Sequence, residues 1–370
     1  MKVMKGFAGA LGCIAALALT AALLWTLLLV PGGKRKTDDA KELKLGESFR
    51  MEINNGLSDA LSDVVDLPKR IEKDAVVAPE PDQSCYGEAS SPAELEWLLE
   101  KAAPILEGQE LFFSTDRTIL PDSTIHYYLD ETIFAISWKE DVNHMAVTYS
   151  EVKIMDPSQI RRHLSGGSYT SGTLMYTSDM SKQVNAVMAF SGDFYDYRQK
   201  GTVVQNGIVC RTNDGLSDIC YVDENGDLLL ERHHKFDTVE QAQQYVDEKG
   251  IRFSLAFGPI LVEDHQPQEL PTYFVGELKG NFSREALCQM DRLHYLVVVC
   301  NYERGCYYMP TGKDLVKLCA NTGCIRAYNL DGGQTSTVVM NNEVLNSISY
   351  GSQRLISDIF YFATAKPKEN

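Results

Sequence analysis

Ala327–Asn342 reads AYNLDGGQTSTVVMNN, in which an apolar strand end runs into a turn rich in glycine and hydroxyl residues. Two glycines directly after Asp331 allow positive φ angles, so successive backbone N–H groups could converge on an anion. Thr335, Ser336 and Thr337 add hydroxyl donors, and Asp331 adds a carboxylate. A simpler interpretation is a tight Asp-Gly-Gly hairpin turn, with paired strands at 337–340 and 343–345. From these residues alone, both interpretations stay open.

The rest of the chain predicts a domain rich in strands. From Ile125 onward, short apolar runs such as IHYYLD, TIFAISW and AVTYSEVKIM alternate with polar turns. Two helices have clear signals: Asp237–Glu240 and Thr311–Asp314 form capping boxes, and Gly250 and Gly323 follow as stop signals. We therefore predict an α+β fold, a strand-rich mixed sheet domain with a few packed helices.

The amino terminus predicts a membrane anchor. Gly6–Val30 is an uncharged run of 25 residues with basic residues on both sides, which is long enough to cross a bilayer as a helix. A cleaved signal peptide is the alternative, but its apolar core is usually shorter. We expect a cytoplasmic tail and transmembrane anchor at 1–36, a stalk at 37–92 that could self-associate, and the main domain at 93–370.

Cysteine content bears on the compartment of that main domain. Eight of the nine cysteines lie beyond the apolar run, and several bracket short loops. We predict disulfides joining Cys300 to Cys306 and Cys319 to Cys324, which favours a location outside the cytoplasm. The expected topology is a single-pass membrane protein with its amino terminus cytoplasmic and its main domain extracytoplasmic.

Net charge excludes one class of partner. Without residues 1–36, the chain has 30 Lys and Arg against 51 Asp and Glu, a formal charge of −21. Such a surface repels polyanions at long range, so we expect no nucleic-acid partner, and an anionic glycan would need a local basic pocket.

Several segments together resemble one enzyme family. NLDGGQTST is similar to the NLDGGGSST signature of the phosphodiester glycosidase family, and five further segments resemble the family in its order. They are AVMAFSGDFYDYR (Ala186–Arg198), GTVVQNGIVCR (Gly201–Arg211), SLAFGPILVED, SREALCQMD (Ser283–Asp291) and RLISDIFYFAT. The likeness covers roughly 125–364.

The resemblance implies a set of site residues. Asp193 and Asp331 would supply the two carboxylates for displacement at an anomeric carbon, and Arg284 would bind the phosphodiester. No cofactor and no metal are expected. The implied substrate-binding residues are Ser191, Gly192, Phe194, Arg198, Arg211, Gln289, Gly332, Gly333, Ser336 and Thr337.

Four residues depart from the family pattern: Ser191 replaces Asn, Gln334 replaces the third glycine, and Glu285 and Cys288 replace Thr and Gly. Our leading hypothesis is a membrane-anchored phosphodiester glycosidase that acts on envelope or exopolysaccharide glycans. One alternative is a binding protein in which these substitutions record lost catalysis while the pocket still holds a phosphoglycan. Another is a scaffold for polysaccharide assembly in the cell envelope.

Overall fold

The computed structural model describes residues 77–121, 123–212, 217–270, 278–303 and 305–365. The predicted anchor and residues 37–76 of the predicted stalk lie outside these residues, so both stay predictions there. Tyr86–Ala89, at the end of the predicted stalk, instead pairs as a strand with Ile125–Leu129 of the main domain. Within the described ranges, the helices are too short or too polar to traverse a lipid bilayer.

The helices of the described part are short, and most begin at a side-chain cap. They are α1 (Pro92–Leu106), α2 (Thr177–Gln183), α3 (Tyr195–Arg198), α4 (Val239–Lys249) and α5 (Gly312–Ala320). Thr311 caps α5 through the predicted capping box. For α4 the cap is Thr238, one residue after the predicted start, because the Thr238 hydroxyl accepts the Gln241 N–H. Gly250 ends α4 with a left-handed backbone, as predicted.

Strands outnumber helices in the described part, and every ladder between the strands named here is antiparallel. The strands are β1 (Tyr86–Ala89), β2 (Ile125–Leu129), β3 (Ile133–Val142), β4 (Met145–Ile154), β5 (Ile160–Leu164), β6 (Met188–Ser191), β7 (Val203–Gln205), β8 (Ile208–Arg211), β9 (Ile219–Asp223), β10 (Leu228–Glu231), β11 (Ile251–Leu255), β12 (Ile260–Glu263), β13 (Gln266–Pro267), β14 (Arg284–Asp291), β15 (His294–Asn301), β16 (Arg326–Asn329), β17 (Val338–Met340), β18 (Glu343–Val344) and β19 (Asp358–Phe362).

Two large sheets organise these strands. A nine-stranded sheet has the order β1-β2-β3-β4-β15-β14-β16-β12-β13, and a five-stranded sheet has the order β18-β17-β6-β19-β5. Smaller sheets join β10-β9-β11 and β7-β8. This strand-rich arrangement with few helices confirms the predicted α+β class.

The central core lies between the two large sheets. Apolar side chains such as Leu287 and Tyr328 from the larger sheet meet Phe190 and Phe360 from the smaller one. The opposite face of the larger sheet packs under α1 and α5, and the opposite face of the smaller sheet packs on α2. Because both faces of these sheets are covered, strands such as β4 are buried along their whole length.

The strands proposed after the Asp-Gly-Gly turn are present, but they are joined elsewhere. Val339 pairs with Val344 across the β17–β18 hairpin. Asn341 and Asn342 make its tight turn with positive φ angles of 49° and 63°. The turn at Asp331 therefore does not close this hairpin, and it is available for another role.

The predicted disulfides are not present, because all eight described cysteines are free thiols. Strand alternation turns Cys300 into the apolar layer beneath α5, whereas Cys306 lies outside that layer, at a β-bridge with Glu303. The Cys324 thiol donates instead to the Cys319 carbonyl oxygen at 3.3 Å. The prediction of an extracytoplasmic domain therefore gains no support from these pairs.

Candidate active site

Asp331 stands just past the end of β16, where the chain turns against the start of β14. Gly333 has a φ of 72° and donates its N–H to the Ser283 carbonyl at 2.9 Å. A Cβ at Gly332 would collide with that same carbonyl oxygen, so this close approach requires glycine. The Gly332 N–H donates to Asp331 Oδ1 at 2.9 Å. Both glycine amides are therefore used within the protein, and they do not form the anion-binding nest that the sequence suggested.

A cavity of about 170 Å³ opens in front of Asp331. Arg284 and Asp331 both line it, which brings together two of the three residues predicted to be catalytic. The lining residues come from four segments that meet at this edge of the larger sheet: Phe257, Leu278, Phe282, Ser283, Arg284, Asn329, Leu330, Asp331, Gly332 and Gly333.

The Asp331 carboxyl group is only partly hydrogen-bonded. Its Oδ2 is enclosed and has no hydrogen-bond partner among the described residues. Burial raises the pKa of Asp331 to about 6, although the positive charges of Arg198 and Arg354 and the Gly332 N–H bond act in the opposite direction. A carboxyl group that titrates near neutral pH and faces a cavity is suited to proton transfer.

Arg284 forms one wall of the cavity and is held by the chain around it. Its Nη2 donates to the Gly280 carbonyl at 2.8 Å, and its guanidinium lies 5.8 Å from the Phe282 ring centre. The residue is 7% exposed. Arg284 is thus pre-oriented by backbone carbonyls, which reduces the entropy lost when a ligand binds beside it.

Asp193 does not line the cavity, contrary to the arrangement that the sequence suggested. Arg162 Nη2 lies 2.8 Å from Asp193 Oδ1 and 2.8 Å from Asp358 Oδ2, and all three side chains are fully buried. The Ala256 N–H donates to Asp193 Oδ2 at 2.7 Å. Both oxygens of Asp193 are therefore occupied. Ala256 precedes the cavity residue Phe257, so this cluster lies directly behind the cavity wall.

The cluster shapes the loop that follows β6. Asp358 accepts the N–H groups of Asp193 and Phe194 at 3.2 and 2.9 Å, and this holds Phe194 in a left-handed conformation with φ of 51°. A Cβ at Gly192 would collide with the Asp358 carboxylate. Burial and the charge of Asp193 raise the pKa of Asp358, against the effect of Arg162.

This loop presents two stacked rings and a cation near the cavity. The Phe194 and Tyr197 rings stack with centres 5.3 Å apart. Arg354 lies over both, 4.8 and 5.5 Å from the ring centres. Arg354 is exposed, and within the described part of the chain no carboxylate forms an ion pair with it. Arg198 lies 3.7 Å over the Phe257 ring and donates to the Phe257 carbonyl at 3.1 Å.

Two predicted substrate-binding residues have structural contacts elsewhere. Arg211 donates from Nη1 to the Tyr195 carbonyl and from Nη2 to the Lys200 carbonyl, at 2.9 and 2.6 Å, so it secures the loop after α3. Gln289 lies five residues along β14 from Arg284, about 16 Å away at strand spacing, and binds Asp227 and Leu228. We find neither among the cavity residues.

The hydroxyl residues lie behind the cavity. Ser191 contacts Glu285, and Ser336 and Thr337 are buried with side-chain oxygens that have no partner among the described residues. Gln334 bonds to the Ser352 carbonyl at 3.3 Å, which ties the glycine turn to the next loop. Within the described ranges, no group of His, Cys, Asp and Glu side chains is arranged to hold a metal ion.

Sequence reasoning missed three charged residues around this site: Arg162, Asp358 and Arg354. Asp358 and Arg354 both lie within RLISDIFYFAT, which resembles the family, so that segment could have drawn attention to them. Arg162 lies on β5 in IRRHL, where a charged residue on a short strand is typical of a solvated edge. Only its burial between two aspartates distinguishes it.

The comparison with protein families finds a match that covers this region of the chain. The family model described as phosphodiester glycosidase matches residues 184–363, which include the Asp193 loop, Arg284 and Asp331. Residues 184–363 are therefore similar to the phosphodiester glycosidase family. This similarity supports a glycosidase-type function and a carbohydrate substrate.

Individual relatives are distant. The SPbeta prophage-derived uncharacterized protein YomE of Bacillus subtilis (strain 168) is 24% identical over 259 residues, which cover 67% of this chain and 38% of that protein. The zebrafish N-acetylglucosamine-1-phosphodiester alpha-N-acetylglucosaminidase catalytic domain, auto-inhibited by its pro-peptide, superposes with a TM-score of 0.53 at 13% identity, covering 63% of this chain and 84% of that one. A hypothetical protein from Synechocystis gives a TM-score of 0.50 at 11% identity, with 63% and 62% covered. At these identities, the two structures show a shared fold.

Proposed function

We propose that this protein is a phosphodiester glycosidase that hydrolyses the bond between a sugar anomeric carbon and a phosphodiester. The observation that carries the proposal is the shared cavity of Arg284 and Asp331, which places a cation and a titratable carboxyl group on the same small space. Similarity of residues 184–363 to the family supports the reaction class. The name of the zebrafish relative supports N-acetylglucosamine as the first sugar to test.

Asp331 acts as the general base in this proposal. Above pH about 6 its carboxylate accepts a proton from water. The water oxygen then forms a bond to the anomeric carbon, while the bond from that carbon to the bridging oxygen breaks and a phosphomonoester departs. A phosphate is already a good leaving group, so clamping it matters more than protonating it. One carboxylate on the cavity is therefore sufficient, and Asp193 is not needed as an acid.

Arginines supply the positive charge that binds the phosphate of the substrate. Arg284 is on the cavity wall, and Arg198 and Arg354 lie near enough to lower the pKa of Asp331. A guanidinium can bind two phosphate oxygens through parallel hydrogen bonds. This local positive charge allows an anionic substrate to approach a chain whose formal net charge is −16.

We further propose that the domain works outside the cytoplasm, anchored by Gly6–Val30, on envelope or exopolysaccharide phosphoglycans. The uncharged run and its basic flanks support this location. Protease treatment of intact cells tests it, since an extracytoplasmic domain is digested without lysis. A domain that is digested only after lysis contradicts the proposed topology.

The activity itself is tested by incubating the purified full chain with N-acetylglucosamine-1-phosphodiesters and measuring free sugar. Wild type should release sugar, and Asp331→Asn should release it far more slowly. Tight binding of the diester without release by wild type would instead favour a phosphoglycan-binding protein. Absence of both binding and release would reject the use of this cavity for sugar phosphates.

A further inference from the structure

Glu285 is a second carboxyl group close to Asp331, buried between the two large sheets. It follows Arg284 on β14, and strand alternation turns it to the opposite face, toward β6 and β17. The residue is 0% exposed. Groups that face it are the Ser191 hydroxyl on β6, the Thr337 N–H before β17 and the carboxyl of Asp331 after β16. Among the described residues, no Lys, Arg or His forms an ion pair with Glu285.

The hydrogen bonds of Ser191 indicate that the Glu285 carboxyl group is protonated. Ser191 Oγ lies 2.6 Å from the Thr335 carbonyl oxygen and 2.8 Å from Glu285 Oε2. A serine hydroxyl has a single hydrogen, and a carbonyl oxygen can only accept. If that hydrogen points to Thr335, the short contact with Glu285 needs a hydrogen on the glutamate. Burial raises the pKa of Glu285 well above its ordinary value, in agreement with this assignment.

A continuous set of contacts links Glu285 to Asp331. The Leu330 N–H donates to the Glu285 carbonyl at 2.9 Å, just before Asp331. After Asp331, the Thr335 hydroxyl donates to the Gly332 carbonyl at 2.8 Å, and the Gly332 N–H donates to Asp331 Oδ1 at 2.9 Å. Glu285 thus secures the Asp331 turn at both of its ends, at Leu330 through its own backbone and at Thr335 through Ser191.

We propose that Glu285 is a neutral carboxylic acid that positions Asp331, by donating its hydrogen to Ser191 and so ordering the hydrogen-bond chain to Thr335. The protonation state is inferred from these contacts and does not depend on the proposed function. The effect on catalysis rests on the proposed function. Glu285 does not line the cavity, so it acts through the Asp331 turn and not on the substrate.

Stability against pH tests the protonation state without any activity. When the pKa of a carboxyl group is higher in the folded than in the unfolded protein, its contribution to folding stability is complete below the pKa of the unfolded state. That contribution is lost as pH rises toward the pKa of the folded state. Glutamine cannot ionise, and its amide can still donate to Ser191. Glu285→Gln should therefore unfold at nearly the wild-type temperature at pH 5 and at a higher temperature than wild type at pH 8.

Glu151 provides a matched control, since it is equally buried but accepts bonds from the Phe112 N–H, the Phe113 N–H and His294 Nε2. Its surroundings suit a charged carboxylate, so Glu151→Gln should lower the unfolding temperature at both pH values. A Glu285→Gln variant that behaves like Glu151→Gln, or whose difference from wild type does not grow with pH, overturns the proposal.

A measurement on wild type covers the case in which a variant does not fold. In full chain labelled with ¹³C at glutamate carboxyl groups, the NMR titration should show one glutamate that remains protonated at pH 7. If every glutamate carboxyl is ionised at pH 7, the proposal is wrong.

Positioning is tested by steady-state kinetics. Ser191→Ala breaks the chain without changing charge, and a displaced base lowers the rate, so kcat should fall about 10- to 100-fold with KM nearly unchanged. Glu285→Gln should keep most of the wild-type kcat, whereas Glu285→Leu should lose it. Equal kcat in all three variants would refute the positioning role. If wild type itself has no turnover, the proposed function fails, while the pH-stability result still decides the protonation state.

Discussion

Asp331 and Asp193 look alike in the sequence, but their surroundings differ. Each follows a buried strand and lies beside a glycine. Asp193 is neutralised by Arg162, and both of its oxygens are occupied. Asp331 faces a cavity with one oxygen enclosed and without a partner. The comparison shows that a carboxylate is available for chemistry only where its oxygens are not already paired with a cation or a hydrogen-bond donor.

The largest expected effect is a loss of stability when Arg162, the cation shared by Asp193 and Asp358, is removed. Arg162→Met leaves Asp193 and Asp358 buried without their counter-charge, and breaking a buried ion pair in this way costs about 3–5 kcal/mol. Chemical denaturation should show this loss at pH 7.

The control for this experiment is Arg232→Met, because Arg232 pairs with Glu263 while both side chains are partly exposed. Exposed pairs of this kind contribute about 0–1 kcal/mol. If the two variants lose equal stability, the Arg162 cluster is not the structural support inferred from its burial.

At Asp331, a substitution should lower activity and leave stability intact. Asp331→Asn should lower kcat by about 10²–10⁴-fold, since it removes the proposed general base. Its folding should remain intact. The raised pKa of Asp331 means that its contribution to stability is lost as pH rises through about 6, so the asparagine variant should be at least as stable as wild type at pH 7. A variant that loses activity only in proportion to its unfolded fraction would argue against a chemical role.

The pH dependence of the rate sharpens the assignment of Asp331. As a base, it must be ionised, so kcat/KM should rise about tenfold per pH unit below pH about 6 and level off above it. The rising limb should disappear in Asp331→Asn, which serves as the control. A rate that falls as pH rises through 6 would assign Asp331 as an acid instead.

Local sequence patterns predicted the elements well, because their causes are local. The capping box at Thr311 and the glycine at 250 act within a few residues, and both helix ends are as expected. Strand runs were recognisable from their apolar character. At the Asp331 turn, the glycines have neither of the two roles that the sequence suggested, because Gly332 permits a close approach to the Ser283 carbonyl that only the fold reveals.

Partners distant in the chain could not be read from those patterns. Arg162 meets Asp193 and Asp358 only after β5, β6 and β19 pair in the five-stranded sheet. The sequence around each residue does not predict these ion pairs. The departures at Ser191 and Glu285 looked like two separate losses. In the fold they contact each other at 2.8 Å, so both departures lie at one place in the structure.

The smallest expected effect concerns Arg354, which the sequence did not single out. It lies over the Phe194 and Tyr197 rings, and its charge acts on Asp331. Arg354→Ala should raise KM about tenfold, since a hydrogen bond to a charged group contributes about 1.5–3 kcal/mol and part of this is offset by solvation. Because the phosphate binds in both ground and transition states, kcat should change little.

Arg354→Lys keeps the charge without the planar guanidinium, so an intermediate KM would indicate that ring stacking holds the cation in place. Arg232→Ala should leave KM unchanged, as it pairs with Glu263 at the surface. If Arg354→Ala and Arg232→Ala give the same KM, the anion is bound by Arg284 and Arg198, and the stacked rings only stabilise the loop that the Asp193 cluster holds in place.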